Sequence, residues 1–373
     1  MSKGKPEVRF LHLADVHLGA SFPWLGERGA AHRKRLRQTF SDVVLQATNS
    51  GVNLVLIAGD LFASSHPHPE LTEFVIAQFA RLTTSGVEIV IAAGEADALD
   101  AQGVYAGGAF DGVAGVTVLP AAPKVGEFPG LGVAVSGRSA ARVKETADPF
   151  KGLAAGRQPV TIGLLALDPN RAGGRGALAR AIAGTRFAYL ALGGSHKMMD
   201  VGTDAVPAWF PGSLELMVRT EGPGAALLVD VSAERPSVTP LPIARGRAHR
   251  LVLEPAAISS VDALAAEIEA LADPDLSLEV RLTGRARPAQ HIDGAALERR
   301  LAPRFFSLEI MDEAMPDLAL LEEAPGRSVT VTGKFVELMT AQLQQAGSEA
   351  ERRRVGAAYR LGLWLLGERR EPA

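Results

Sequence analysis

Two apolar runs that each lead into a carboxylate constrain this chain more than any other feature in it. Val8 to Leu13 reads as a buried strand, and Asp15 and His17 follow it. Leu54-Val-Leu-Ile-Ala repeats the pattern and passes through Gly59 into Asp60. Side chains alternate along extended chain, so Asp15 and His17 can point the same way. A glycine before Asp60 lets the chain turn sharply there. In open α/β sheets, sites gather at the carboxyl ends of strands, so Asp15, His17 and Asp60 are expected to converge. Asp and His suit hard and borderline metal ions. An isolated Asp-x-His defines no site, which makes the second strand the deciding observation.

The segments between and after these strands extend the alternation. Over residues 29–49, Phe40, Val43, Val44 and Ala47 fall at helical spacing, with Gly51 as the stop. A second helix is expected at about 70–85, with Leu71, Phe74, Val75 and Phe79 as its stripe, and a third strand from Val87 to Ala92. Further strands are expected near 115–119, 131–136, 160–168, 187–192, 225–231 and 238–243. Strand and helix in turn, with short joins, argue a layered α/β domain. Residues 246–312 read as a small separate β-α-β-α-β unit. Its clearest strand alternates Leu276, Leu278, Val280 and Leu282 with polar neighbours, and Asp293 caps a short helix to 301. Two helices close the tail, 332–345 and 349–366, the second opened by a capping box of Ser348 and Glu351. Its apolar positions, Val355, Tyr359, Leu363 and Leu366, are broadened by Trp364 and Leu365 into a stripe that reads either as packing or as a partner surface.

Charge and composition exclude some classes. The 373 residues carry a formal net charge of −3, so no global basic field points to nucleic acid, and DNA contact needs a local patch. With no cysteine there is neither a disulfide nor a thiolate metal site. The opening residues lack a signal-peptide core and no run of 18 apolar residues occurs, so a cytoplasmic setting and no membrane span are expected.

In order and spacing, residues 7–245 resemble the calcineurin-like metallophosphoesterases, and more closely their SbcD-type DNA-repair exonuclease branch. That family opens with D-x-H, then G-D-x-F, G-N-H-D, a lone strand histidine, and G-H-x-H after a strand close to Y-x-A-L. Here stand Asp15-Val-His17, Gly59-Asp60-Leu-Phe62, Gly94-Glu95-Ala96-Asp97, Ala166, and Tyr189-Leu-Ala-Leu192-Gly193-Gly194-Ser195-His196. Trp209-Phe-Pro211-Gly212-Ser213 resembles the segment after the last site loop. The resemblance implies an α/β fold, a layered β-sandwich flanked by helices over 1–245. It also implies a small α+β capping domain over 246–315, a linker over 316–331, and a C-terminal helical partner-binding segment over 332–373.

Carried over residue by residue, the resemblance implies a first metal held by Asp15, His17, Asp60 and His196, a complete set. Of the second metal's ligands only the bridging Asp60 remains: Glu95, Ala166 and Gly194 stand where the others would be, and Ala96 replaces the catalytic histidine. A metal pair generates hydroxide and clamps a phosphodiester in line, which one metal alone does less well. The expectation is therefore an SbcD-like exonuclease subunit of a DNA repair complex with impaired or lost cleavage, binding one Mn2+ or another divalent ion per chain. Two alternatives stay open. One is a non-catalytic scaffold for DNA or an ATPase. The other is a working nuclease in which Glu95, with Asp168, substitutes as ligand. The implied partners are DNA and a coiled-coil SbcC-like ATPase bound through the C-terminal helices, and a homodimer is left open.

Other polar features are secondary. Arg28, Arg33, Lys34, Arg35 and Arg37 read either as a solvated helix face or as a phosphate-contacting patch. His66 and His68 read as an exposed loop, and His12 and His32 as surface or packing residues. Gly173, Gly174 and Gly176 read as a flexible loop, since no lysine-serine pair follows them as in a phosphate-binding loop.

Overall fold

A computed structural model describes residues 8–140, 148–231, 235–287, 292–317 and 330–368. The chain divides into two compact units, Met1–Arg245 and Gly246–Ala373.

In chain order the first unit contains β1 (Val8–Leu13), α1 (Gly29–Asn49), β2 (Leu54–Ala58), α2 (Pro69–Thr83), β3 (Glu88–Ala92) and β4 (Val116–Val118). It continues with β5 (Lys124–Phe128), β6 (Val133–Gly137), β7 (Val160–Ala166), α3 (Gly174–Ala183) and β8 (Tyr189–Gly193). It closes with β9 (Met199–Asp200), β10 (Ala208–Phe210), β11 (Ala226–Val231) and β12 (Ser237–Leu241). Two six-stranded sheets form, ordered β12-β11-β1-β2-β3-β4 and β5-β6-β7-β8-β10-β9. The central strands β1, β2 and β3 run parallel, as do β6, β7 and β8. Their burial on both faces explains why they read as near-continuous apolar runs rather than as alternating ones.

The sheets face each other across one core. Phe10, Leu54, Leu56 and Val90 come from one side, and Val133, Ile162, Leu164 and Tyr189 from the other. Phe10 and Tyr189 meet edge to face with ring centroids 5.4 Å apart. His12 is fully buried in this core with Nδ1 3.1 Å from the Tyr189 hydroxyl, a packing histidine whose burial pushes its pKa down to about 3. The outer face of the first sheet is covered by α1 and α2, which bury Leu36, Phe40, Val43, Val75 and Phe79. The result is a mixed α/β sandwich of two multi-strand sheets flanked by helices.

The second unit contains β13 (Arg247–Leu253), α4 (Val261–Glu269), β14 (Asp273–Leu282), β15 (Arg285–Ala286), α5 (Gly294–Leu301), β16 (Phe305–Asp312), β17 (Met315–Pro316), α6 (Val331–Gln345) and α7 (Glu349–Glu368). Its three long strands form an all-parallel sheet, β13-β14-β16. Leu264 and Ile268 of α4 and Leu297 and Leu301 of α5 pack on the alternating leucines and valine of β14. Ser260 and Asp293 cap α4 and α5, accepting from the N–H groups of Ala263 and Ala296.

Two sequence readings change. Gly173 to Gly176 do not form a loop: Gly173, at φ 81°, turns the chain into α3, and the apolar Leu178 and Ile182 bury that helix. The tail stripe divides as well. Tyr359 and Leu363 are buried, Tyr359 against Phe335 with centroids 5.8 Å apart, so this part of the stripe closes α6 on α7. Val331, Leu338, Leu361 and Leu365 are the large apolar side chains left exposed on the described parts of these helices. Most of the expected linker, residues 318–329, lies outside the described residues.

Candidate metal centre

The loop after β1 and the loop after β2 are bonded to each other along their backbones. The N–H of Asp15 donates to Gly59 O at 3.1 Å, that of His17 to Asp60 O at 2.8 Å, and that of Leu18 to Leu61 O at 2.9 Å. These contacts hold three side-chain-bearing residues in the left-handed region: Asp15, His17 and Asp60 each have φ of 50°. Non-glycine residues rarely sit there, at a cost of about 1–3 kcal/mol each, and such strain clusters where a site is over-determined by its surroundings. Phe22 is the one other described non-glycine residue with positive φ.

His196 reaches the same point from the loop after β8. His17 Nε2 and His196 Nε2 are 3.1 Å apart, with the rings edge to face. His17 Nε2 is also 3.7 Å from Asp60 Oδ2 and 4.0 Å from Asp15 Oδ1. Asp15, His17 and His196 each offer a ligand atom within 4.8 Å of the others.

The electrostatics suit a cation. Burial pushes the Asp15 carboxyl up to about 7, opposed by the backbone amides of Gly194 and Ser195. Burial, together with the charges of Asp97 and Asp15, pushes Asp60 up to about 7, opposed by the amides of Ala96 and Asp97. Burial lowers His17 to about 4 and also lowers His196, so both imidazoles are neutral at physiological pH, the form that binds metal. Two metal–nitrogen bonds of about 2.0–2.1 Å span separations of about 3.0–3.5 Å. The imidazole spacing fits one shared ion, and a divalent ion compensates two buried carboxylates that are otherwise costly to charge. The donor set therefore fits a divalent metal.

The positions expected to serve a second metal differ. The Ala96 N–H donates to Asp60 Oδ1 at 2.8 Å, and the Gly194 N–H lies 3.1 and 3.0 Å from the two Asp15 oxygens, so both positions act through the backbone. Ala166 ends β7 with its methyl against Gly59. Glu95 does not turn toward Asp60. Its side chain is 74% exposed and accepts from Arg171 Nη1 at 3.2 Å, and Asp168 pairs with Arg171 Nε at 3.5 Å. Glu95 and Asp168, the substitute ligands of the alternative reading, both face the Arg171 guanidinium in the structure.

Asp97 is a support the sequence reading left without a role. Fully buried, it accepts from the N–H of Gly94 at 2.7 Å, the N–H of Phe62 at 3.1 Å and the Tyr105 hydroxyl at 2.6 Å. It thereby folds the 94–97 loop around Asp60. Asp97→Asn presents an NH2 to one of these donors, and a loss of about 2–3 kcal/mol is expected, read as a lower urea midpoint at unchanged m-value.

The basic cluster also divides. Arg33, Lys34 and Arg37 are exposed on α1, with Arg33 Nη1 donating to Ser21 O at 3.0 Å. Arg35 is half-buried and has a guanidinium nitrogen sequestered from solvent, so it is less accessible than Arg33, Lys34 and Arg37. His32 is buried there, 2.7 Å from Leu216 O.

Residues 8–138 match the calcineurin-like phosphoesterase family, and the chain carries a calcineurin-like metallophosphoesterase domain. The chain is similar to the DNA double-strand break repair protein Mre11 of Methanopyrus kandleri, 34% identical over 87 residues. That match covers 23% of this chain and only 18% of the relative. A solved structure from Streptococcus pneumoniae TIGR4, described as a conserved uncharacterized protein and predicted phosphoesterase, aligns at 12% identity over 63% of this chain and 98% of its own, with a TM-score of 0.30. The family binds divalent metals, in keeping with the Asp15–His17–His196 cluster. Among the described residues no helix is long and apolar enough to cross a membrane.

Proposed function

We propose that this chain is the phosphoesterase-fold subunit of an SbcD-like DNA end-processing complex, with one divalent metal per chain and a lost or strongly impaired nuclease step. One observation carries the reading. Asp15, His17 and His196 converge with Asp60 beside them, while Ala166, Gly194 and Ala96 offer no side-chain donor and Glu95 turns outward to Arg171. Asp15, His17, Asp60 and His196 would hold the ion, Mn2+ in this reading, which would polarise a phosphoryl oxygen. The chain's own residues orient and charge-balance the site: the amides of Gly194 and Ala96 fix the two carboxylates, and burial keeps the imidazoles neutral. No histidine stands at position 96 to serve the leaving group.

DNA is the proposed ligand, by likeness to the repair relative and through the exposed Arg33, Lys34 and Arg37. Phosphate contacts of this kind position a duplex without reading its sequence. Residues 246–315 are proposed as the capping domain. The helical segment 332–373 is proposed as the surface for a coiled-coil SbcC-like ATPase, with Leu338, Leu361 and Leu365 exposed for it. The outward Glu95 favours this reading over one in which Glu95 is a working ligand.

The test is a nuclease assay on linear duplex DNA with saturating Mn2+, beside a small chromogenic phosphodiester. Turnover far below roughly one per second is expected. Cleavage at or above that rate, abolished by Asp15→Ala, would overturn the impaired-nuclease reading.

A further inference from the structure

The two loops beside Ala96 and Gly194 are joined through a guanidinium. Arg171 follows β7 and spans two loops, with Nη1 3.2 Å from Glu95 Oε1 and Nε 3.5 Å from Asp168 Oδ2. Both anchors adjoin residues that touch the metal centre. Glu95 lies between Gly94, where a Cβ would stand 2.2 Å from Asp60 Oδ1, and Ala96, whose N–H donates to that same oxygen. Asp168 follows Leu167, whose backbone O is the closest atom to a Cβ built at Gly194. The guanidinium is thus anchored from both loops that border Ala166, Gly194 and Ala96.

We infer that Arg171 is the second cationic group of this site, a phosphate-binding residue that takes a non-bridging oxygen of a phosphate held at the Asp15–His17–His196 centre. The inference rests on the one-metal reading above. A guanidinium presents five N–H donors in a fixed fork and stays charged at all relevant pH values, so it suits phosphate oxygens. It offers charge and hydrogen bonds but generates no hydroxide, so it supports binding without replacing a metal's part in hydrolysis. The Arg171 and Glu95 side chains are 59% and 74% exposed, and exposed ion pairs of this kind hold weakly. A phosphate can replace one carboxylate while the other keeps the guanidinium aimed.

The probe is inorganic phosphate, titrated by calorimetry into the full chain loaded with one equivalent of Mn2+. Arg171→Ala is expected to weaken phosphate binding about ten-fold or more, with Arg171→Lys intermediate. Melting temperatures within a few degrees of wild type will show that the exposed substitutions leave the fold intact. An Arg171→Ala affinity within about two-fold of wild type overturns the inference, as does a wild-type protein that binds Mn2+ but no phosphate. A wild-type protein that takes up no Mn2+ takes down the one-metal reading and this inference together, an outcome distinct from the other two.

Discussion

Gly194→His is expected to cost about 3 kcal/mol or more of stability, read as a lower urea midpoint or a melting temperature reduced by several degrees. The residue sits at φ 101°, and a Cβ there would lie 2.4 Å from Leu167 O and 2.8 Å from Leu167 C. Backbone cannot swing aside as a side chain can, so the loop after β8 must move. That loop supplies the N–H facing both Asp15 oxygens and, two residues on, His196 itself. Most of the penalty comes from the first carbon, so Gly194→Ala should cost nearly as much as Gly194→His. A histidine variant with wild-type stability would show that this loop has a second conformation of equal energy. If the penalty is found, the second imidazole cannot be restored by a single substitution, and the missing half-site is built into the backbone.

Mn2+ at a concentration a hundred-fold above its Kd at pH 7.5 is expected to raise the melting temperature by about 5–10 °C there, and the same concentration is expected to give a smaller gain at pH 5.5. The sign follows from the carboxylates. Asp15 and Asp60 sit at about 7 in the metal-free fold, against an unfolded value near 4. Across that interval the unfolded chain has released carboxyl protons that the folded chain retains, so the contribution of these two carboxylates to metal-free stability falls as pH rises from about 4 through 7. The ion requires the deprotonated carboxylates and removes this penalty, so its contribution grows over the same window. His17, held down to about 4, has the opposite linkage in the metal-free fold, but it is already neutral over most of the window, so the ion displaces no proton from it and the carboxylates set the pH dependence of the metal's contribution. Asp15→Ala and His196→Ala should abolish the Mn2+ response. Equal stabilisation at the two pH values, or a full response in Asp15→Ala, would contradict this account of the site.

Much of this architecture is legible in the residues because its strongest signals are local. The runs ending at Leu13 and Ala58 become β1 and β2, and the helix expected at 29–49 spans Gly29–Asn49. The Asp15-x-His17 and Gly59-Asp60 pairs sit at strand ends, where side-chain direction is set by a few backbone angles. What escaped sequence reading depends on longer-range geometry. Nothing in Gly94-Glu95-Ala96-Asp97 says that Asp97 turns inward to Tyr105 while Glu95 turns outward to Arg171, seventy-odd positions away. Helix α3 was hidden because its N-cap and first turn together hold three glycines, and only Leu178 and Ile182, buried by tertiary packing, give it a reason to form. Arg35 looked like its exposed neighbours because a helix carries a run of adjacent basic residues around its circumference, burying some of them. Tyr359 and Leu363 form an apolar stripe in either interpretation, and their partner, Phe335, lies on the preceding helix.

The central proposal is a metallophosphoesterase site that holds one metal and has lost the ligands of a second. The most direct measurement is the number of Mn2+ ions retained per chain, by equilibrium dialysis at saturating metal followed by elemental analysis, with Asp15→Ala in parallel. The account predicts one equivalent for the wild type and none for the variant. Two tightly held equivalents in the wild type would contradict it, and would return Glu95 and Asp168 to the set of metal ligands.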